Sequence, residues 1–252
     1  GLSGVVGQTD GTGSGARFAQ PLGVAVDSGG NVFVIELGNN SPGALRKITP
    51  AGVVTTLASG FNQPFGVALG GAGNAYVTDS NNSVIKKFTP AGVVTTVAGQ
   101  FGVYGDDDGP VGTATLGGPV APAIDAAGNI FVATGSQTIR KISASGIVST
   151  FAGISGGYGS ANGVGSAARF DSANGLAFDS AGNLYVAERG VGSVAGRTIR
   201  KITPAGVVTT LAGQPGAVGS ADGVGSAARF NQPLGIVVDA AGNIFVGDPR
   251  TH

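Results

Sequence analysis

Residues 20–58 read QPLGVAVDSGGNVFVIELGNNSPGALRKITPAGVVTTLA, and their reading decides the fold. Four short runs are rich in β-branched side chains: GVAVD (23–27), NVFVIE (31–36), LRKIT (45–49) and VVTTLA (53–58). Between them stand SGG, LGNNSPGA and PAG, stretches that supply turn residues. Short β-rich runs punctuated by Gly, Pro and Asn predict strands A, B, C and D joined in chain order. No stretch of useful length shows a helical period.

The pattern recurs along the chain. Asn31 has counterparts at Asn74, Asn129, Asn183 and Asn243, which open NAYVTD, NIFVAT, NLYVAE and NIFVGD. Segment A returns as GVALG (66–70), APAID (121–125), GLAFD (175–179) and GIVVD (235–239). Segment C returns as IKKFT (85–89), IRKIS (139–143) and IRKIT (199–203), and segment D as VVTTVA (93–98), IVSTFA (147–152) and VVTTLA (207–212). Four antiparallel strands in a unit of this length predict an all-β fold, a β-propeller of four-stranded blades around a channel. Four blades are complete. A fifth is split and incomplete, because GLSGVVGQ (1–8) aligns with the end of a segment D and the chain stops at NIFVGDPRTH (243–252) before a fifth segment C. Residues 1–252 are read as a single domain. A segment of a longer chain, in which an IRKIT-like phrase follows, is the favoured reading of the split blade. The alternatives are that residues 247–252 or 1–6 fill the slot of the missing strand or that a neighbouring chain supplies it.

The phrase QPLGVAVDSGGNVFV, followed by LRKITPAGVVTTLA, resembles the NHL repeat, and the resemblance covers nearly the whole chain. It implies propeller blades, most often six to a ring. It implies little about function, since propellers serve as enzymes, RNA readers and scaffolds. An amidating lyase of that family holds zinc with histidines. This chain has one His, His252, and no Cys, so that site cannot be built here.

Net charge is zero and only 11% of residues are charged, so no basic excess draws the chain to nucleic acid or to an anionic membrane. No apolar run is long enough for membrane insertion. Low charge with abundant Gly, Ser, Thr, Ala and Val points to an extracellular or cell-surface protein whose signal peptide is not in view. Asn39 and Asn81 begin Asn-Asn-Ser sequons.

Alternating strand direction gathers the B–C connections and the D–A loops at one end of the blades, where binding residues are usually carried. The residue five after each repeat Asn is Glu36, Asp79, Thr134, Glu188 or Asp248, and Arg189 adjoins. As a ring at the channel mouth these would bind a small cation, an amine or a basic peptide. The structural reading, which weighs more, is that each acid caps its own B–C turn. The D–A loops are GQTDGTGSGARF (7–18), GDDDGPVGTATL (105–116), GSANGVGSAARF (159–170) and GSADGVGSAARF (219–230), each ending on an anchoring Phe or Leu, and none precedes the second segment A. Asp106, Asp107 and Asp108 are read as a solvated acidic tip, since calcium loops alternate their ligands. The basic pairs of segment C and the acids ending segment A are read as shaping the blades.

The function expected is a binding or assembly module, partnered by a protein or by its own copies, with no cofactor and no metal. The chain is read as a non-enzyme without catalytic residues. The alternative is a hydrolase or lyase propeller working at the acidic mouth.

Overall fold

The computed structural model describes residues 1–190 and 195–249. Their strands form five sheets, and the repeat phrases fall on them in register. The first holds β1 (Gly11–Thr12), β2 (Pro21–Val26), β3 (Val32–Glu36), β4 (Gly43–Ile48) and β5 (Val53–Phe61), in the order β1-β5-β4-β3-β2. The second runs β6 (Pro64–Leu69), β7 (Ala75–Asp79), β8 (Val84–Phe88) and β9 (Val94–Ala98). The third holds β10 (Gly109–Pro110), β11 (Pro119–Ile124), β12 (Ile130–Thr134), β13 (Thr138–Ile142) and β14 (Ile147–Gly153), ordered β10-β14-β13-β12-β11. The fourth repeats that order with β15 (Gly163–Val164), β16 (Ala173–Phe178), β17 (Leu184–Glu188), β18 (Thr198–Ile202) and β19 (Val207–Ala212). The fifth pairs β20 (Gly235–Val238) with β21 (Ile244–Gly247).

Four full sheets and a partial one match the predicted blades, but three sheets have a fifth strand. It comes from the D–A loop that precedes the blade, which folds back onto strand D of the same blade. Gly11 pairs with Val54, Gly109 with Val148 and Gly163 with Val208. The second sheet has no preceding loop and keeps four strands.

The chain divides into two compact units, residues 1–105 with 111–122, and residues 106–110 with 123–252. In the first, Phe33, Ile35, Leu45, Phe61, Val67 and Val77 form a buried cluster. In the second, Tyr185, Ala187, Ile199 and Ile236 do the same. Glycine opens segment A because neighbouring A strands come close: a Cβ on Gly175 would strike the Leu234 carbonyl.

Between strands C and D every full blade carries a bulge at the first basic residue. Register shifts at Leu45/Arg46, Ile85/Lys86, Ile139/Arg140 and Ile199/Arg200, leaving Leu57, Val97, Phe151 and Leu211 unpaired on strand D. Such a bulge re-aims the side chain beside it.

The A–B turns are fastened by the acid that ends segment A. Asp27 Oδ1 accepts from the amides of Gly29 (2.9 Å) and Asn31 (2.8 Å), and Oδ2 from Asn31 Nδ2 (2.8 Å). Asp125, Asp179 and Asp239 repeat the arrangement. The hydrogen bonds from the Asn31 side chain and amide hold the Asp27 carboxyl below its usual range. Gly70 replaces the acid in the second blade, and there Ala72 takes φ 58, a left-handed conformation costly for a residue with a Cβ. Gly70→Asp is therefore expected to raise stability by about 1 kcal/mol, the worth of a typical added hydrogen bond. Urea denaturation of the variant checks this, and an unchanged midpoint would count against the capping role.

Candidate functional site

The bulge turns the first basic residue of segment C into the blade. Arg46, Arg140 and Arg200 are each fully buried. Arg46 Nη1 donates to Glu36 Oε1 (3.1 Å) and to the Arg17 carbonyl (3.1 Å), while Nη2 donates to Asp10 Oδ1 (2.8 Å) and the Thr9 carbonyl (3.1 Å). Arg200 repeats this with Glu188 Oε2 (3.1 Å), the carbonyls of Arg169 (2.9 Å) and Ala161 (3.0 Å), and Asn162 Oδ1 (2.8 Å). The Phe that ends each loop lies against the guanidinium, Phe18 at 5.3 Å and Phe170 at 5.5 Å. One buried cation thus fastens strand B, strand C and the preceding loop together.

Two exceptions within the chain support this account. In the third blade Thr134 stands where the others carry Glu or Asp, and the loop supplies the acid instead. Asp106 and Asp108 flank Arg140 at 3.3 and 2.7 Å, and Ser136 Oγ donates to Asp106 at 2.7 Å. Asp106 aligns with Gln8 and Ser160, so the carboxylate has moved from strand to loop. In the second blade, which has no loop, Lys86 replaces Arg. Its side chain is 21% exposed and reaches only one carboxylate, Asp79 Oδ2, at 3.0 Å.

The candidate ring residues are therefore placed as follows. Glu36, Asp79, Thr134 and Glu188 are buried, and the three acids point at the basic residue of their own blade rather than into solvent. Glu188 Oε1 also accepts from the Asp171 amide (2.9 Å), Asp79 Oδ1 from the Asn62 amide (2.7 Å), and Asp248 from the amides of Asn231 (2.6 Å) and Gln232 (2.9 Å). The acids hold the chain where it enters segment A, more than their own B–C turns. Arg189 is half-buried, and its amide donates to the Ser172 carbonyl at 2.9 Å. Arg250 and His252 lie outside the described residues. The acidic tip at 106–108 is corrected too: Asp106 and Asp108 face Arg140 because a buried guanidinium requires an acid that Thr134 does not provide. Among the described residues no group of three His, Asp or Glu is gathered for a metal. No helix among them is long and apolar enough to cross a membrane.

Burial raises the carboxyl pKa of Glu36 and Glu188 above the usual 4.5, against the pull of Arg46 and Arg200. A raised acid binds its proton more tightly when folded, so its stabilising effect is full below 4.5 and falls as pH climbs through the folded value. Glu188→Gln should remove that part of the slope while keeping an acceptor for Arg200. Urea midpoints measured across this range check it, and an unchanged slope in the variant refutes it. Arg200→Lys should cost about 3 kcal/mol, because an ammonium cannot fork between strand and loop. It should also open residues 159–170 to limited proteolysis.

No family model matches the sequence, and no curated protein sequence is similar to it. Solved structures are similar over nearly the whole chain. An auxiliary nutrient binding protein from Bacteroides ovatus is 20% identical, with a TM-score of 0.72, over 92% of this chain and 57% of its own. Virginiamycin B lyase from Staphylococcus aureus is 15% identical, with a TM-score of 0.60, over 91% of this chain and 64% of its own. A gluconolactonase from Xanthomonas campestris is 15% identical, with a TM-score of 0.61, over 92% of this chain and 70% of its own. The chain has the β-propeller fold. The expectation of a non-enzyme is corrected here. It rested on the single histidine and the absence of cysteine, and a lyase and a gluconolactonase are similar in fold, so the fold gives no ground for excluding catalysis.

Proposed function

We propose that the chain is a small-molecule propeller of hydrolase or lyase type, built from NHL-type repeats. Its substrate is taken at the loop-bearing end of the blades of the second unit, beside loop 159–170. The observation that supports this reading is the likeness of fold to a lyase and a gluconolactonase over 91% and 92% of the chain. The geometry suits it as well. Loops 7–18, 105–116 and 159–170 are each tied to a fully buried arginine, and positioned side chains are what a reacting substrate needs. Glu36, Asp79 and Glu188 serve here as positioning residues, holding loop ends rather than touching substrate. Tyr158, 64% exposed at the start of loop 159–170, offers a face for the ligand. A location outside the cell belongs to the same proposal and rests on composition.

The second reading is capture without turnover, favoured by the TM-score of 0.72 to a nutrient binding protein. Purified protein incubated with a sugar lactone and with virginiamycin B separates the two. Loss of either intact compound above the buffer rate, followed by mass spectrometry, supports the enzyme, and Tyr158→Ala should slow it. Saturable binding of an unchanged compound moves the assignment to capture. Neither turnover nor binding overturns both.

A further inference from the structure

At the opposite end of the strands in the second unit, the A–B turn of the third sheet and the C–D turn of the fourth border a cavity of about 270 Å³. Its apolar wall includes three phenylalanines. Phe131 meets Phe151 at 5.0 Å and Phe178 at 5.1 Å, both edge to face. Lys141 places its ammonium 5.5 Å over the Phe131 ring, and Asp125 stands at the rim.

Part of this belongs to the repeat. Lys47 lies over Phe33 and Lys201 over Tyr185 in the same way. The other two aromatics depart from it. Phe151 is the unpaired bulge residue, where the other blades carry Leu57, Val97 and Leu211. Phe178 ends its strand where the others carry Val26, Leu69, Ile124 and Val238. Aliphatic residues at both positions build blades elsewhere in this chain, so the fold does not require aromatics here. Both exceptions face one cavity.

We propose that this pocket binds a small aromatic carboxylate. The ring would enter among Phe131, Phe151 and Phe178, where edge-to-face and offset contacts are available. The carboxylate would meet Lys141. Asp125 keeps its negative charge at the rim, but its oxygens are held in the A–B turn by the amides of Ala127 (3.0 Å) and Asn129 (2.8 Å) and by Asn129 Nδ2 (2.7 Å) rather than paired with Lys141. The volume, at the small end for ligand sites, suits a one- or two-ring molecule. The proposal stands apart from the function proposed above and uses none of its residues.

Isothermal titration of the purified chain with 2-naphthoate tests it, with saturation-transfer NMR to locate the bound ring protons. Saturable binding is expected, about tenfold weaker for 2-naphthylmethanol, which lacks the charge, and for cyclohexanecarboxylate, which lacks the π face. The double variant Phe151→Leu with Phe178→Val installs residues the other blades already tolerate. It should fold with a similar thermal midpoint and lose about tenfold in affinity. Lys141→Met should discriminate against the carboxylate alone. Absence of saturable binding overturns the proposal, as does equal affinity in wild type and double variant.

Discussion

A guanidinium without water around it must be given acceptors, and that requirement organises the first, third and fourth blades. Leaving such a cation buried and unpaired costs several kcal/mol, more than most single contacts return. Arg46 and Arg140 meet the demand with two acids each and Arg200 with one, and all three add backbone carbonyls of a loop that would otherwise have little reason to lie down. The two-residue strands β1, β10 and β15 follow from that, since a loop drawn against the arginine runs beside strand D and covers two residues of its open edge. Where the loop is missing, the basic residue becomes a lysine that is partly exposed and pairs with the buried Asp79.

Much of the architecture was legible because the strands repeat in chain order with turn residues between them. Val32 to Glu36 and Val84 to Phe88 need no long-range information to be read as strands. The extra strands were not legible. Gly11–Thr12 and Gly109–Pro110 have poor strand character, and they pair only because a side chain distant in sequence holds them there. The bulges were equally hidden, and with them the direction of the arginines and the placement of Phe151. The carboxylates of strand B were identified as a set, but sequence spacing places them at a strand end without saying that they turn inward. Two signals were available: Thr134 coincides with the one loop beginning GDDD, and the one Lys-Lys pair coincides with the missing loop.

A repeat protein supplies its own controls in this way. A position that is the same in every blade speaks of the fold, and a pair of positions that change together speaks of contact. A change that no neighbour compensates, such as Phe151 or Phe178, points to something the fold does not explain.

The pairing of loops 7–18, 105–116 and 159–170 with strand D of the blade that follows each also sets the phase of the repeating module. A unit drawn from one segment A to the next separates every arginine from the loop that neutralises it. A unit drawn from Gly159 to Gly213 keeps both. Duplication or recombination that respects this phase transfers a self-sufficient block, whereas a crossover at the start of segment A joins a loop to a foreign arginine. Residues 159–170 and 219–230 are near-identical from their first glycine, and a boundary drawn at Gly159 leaves that loop with Arg200.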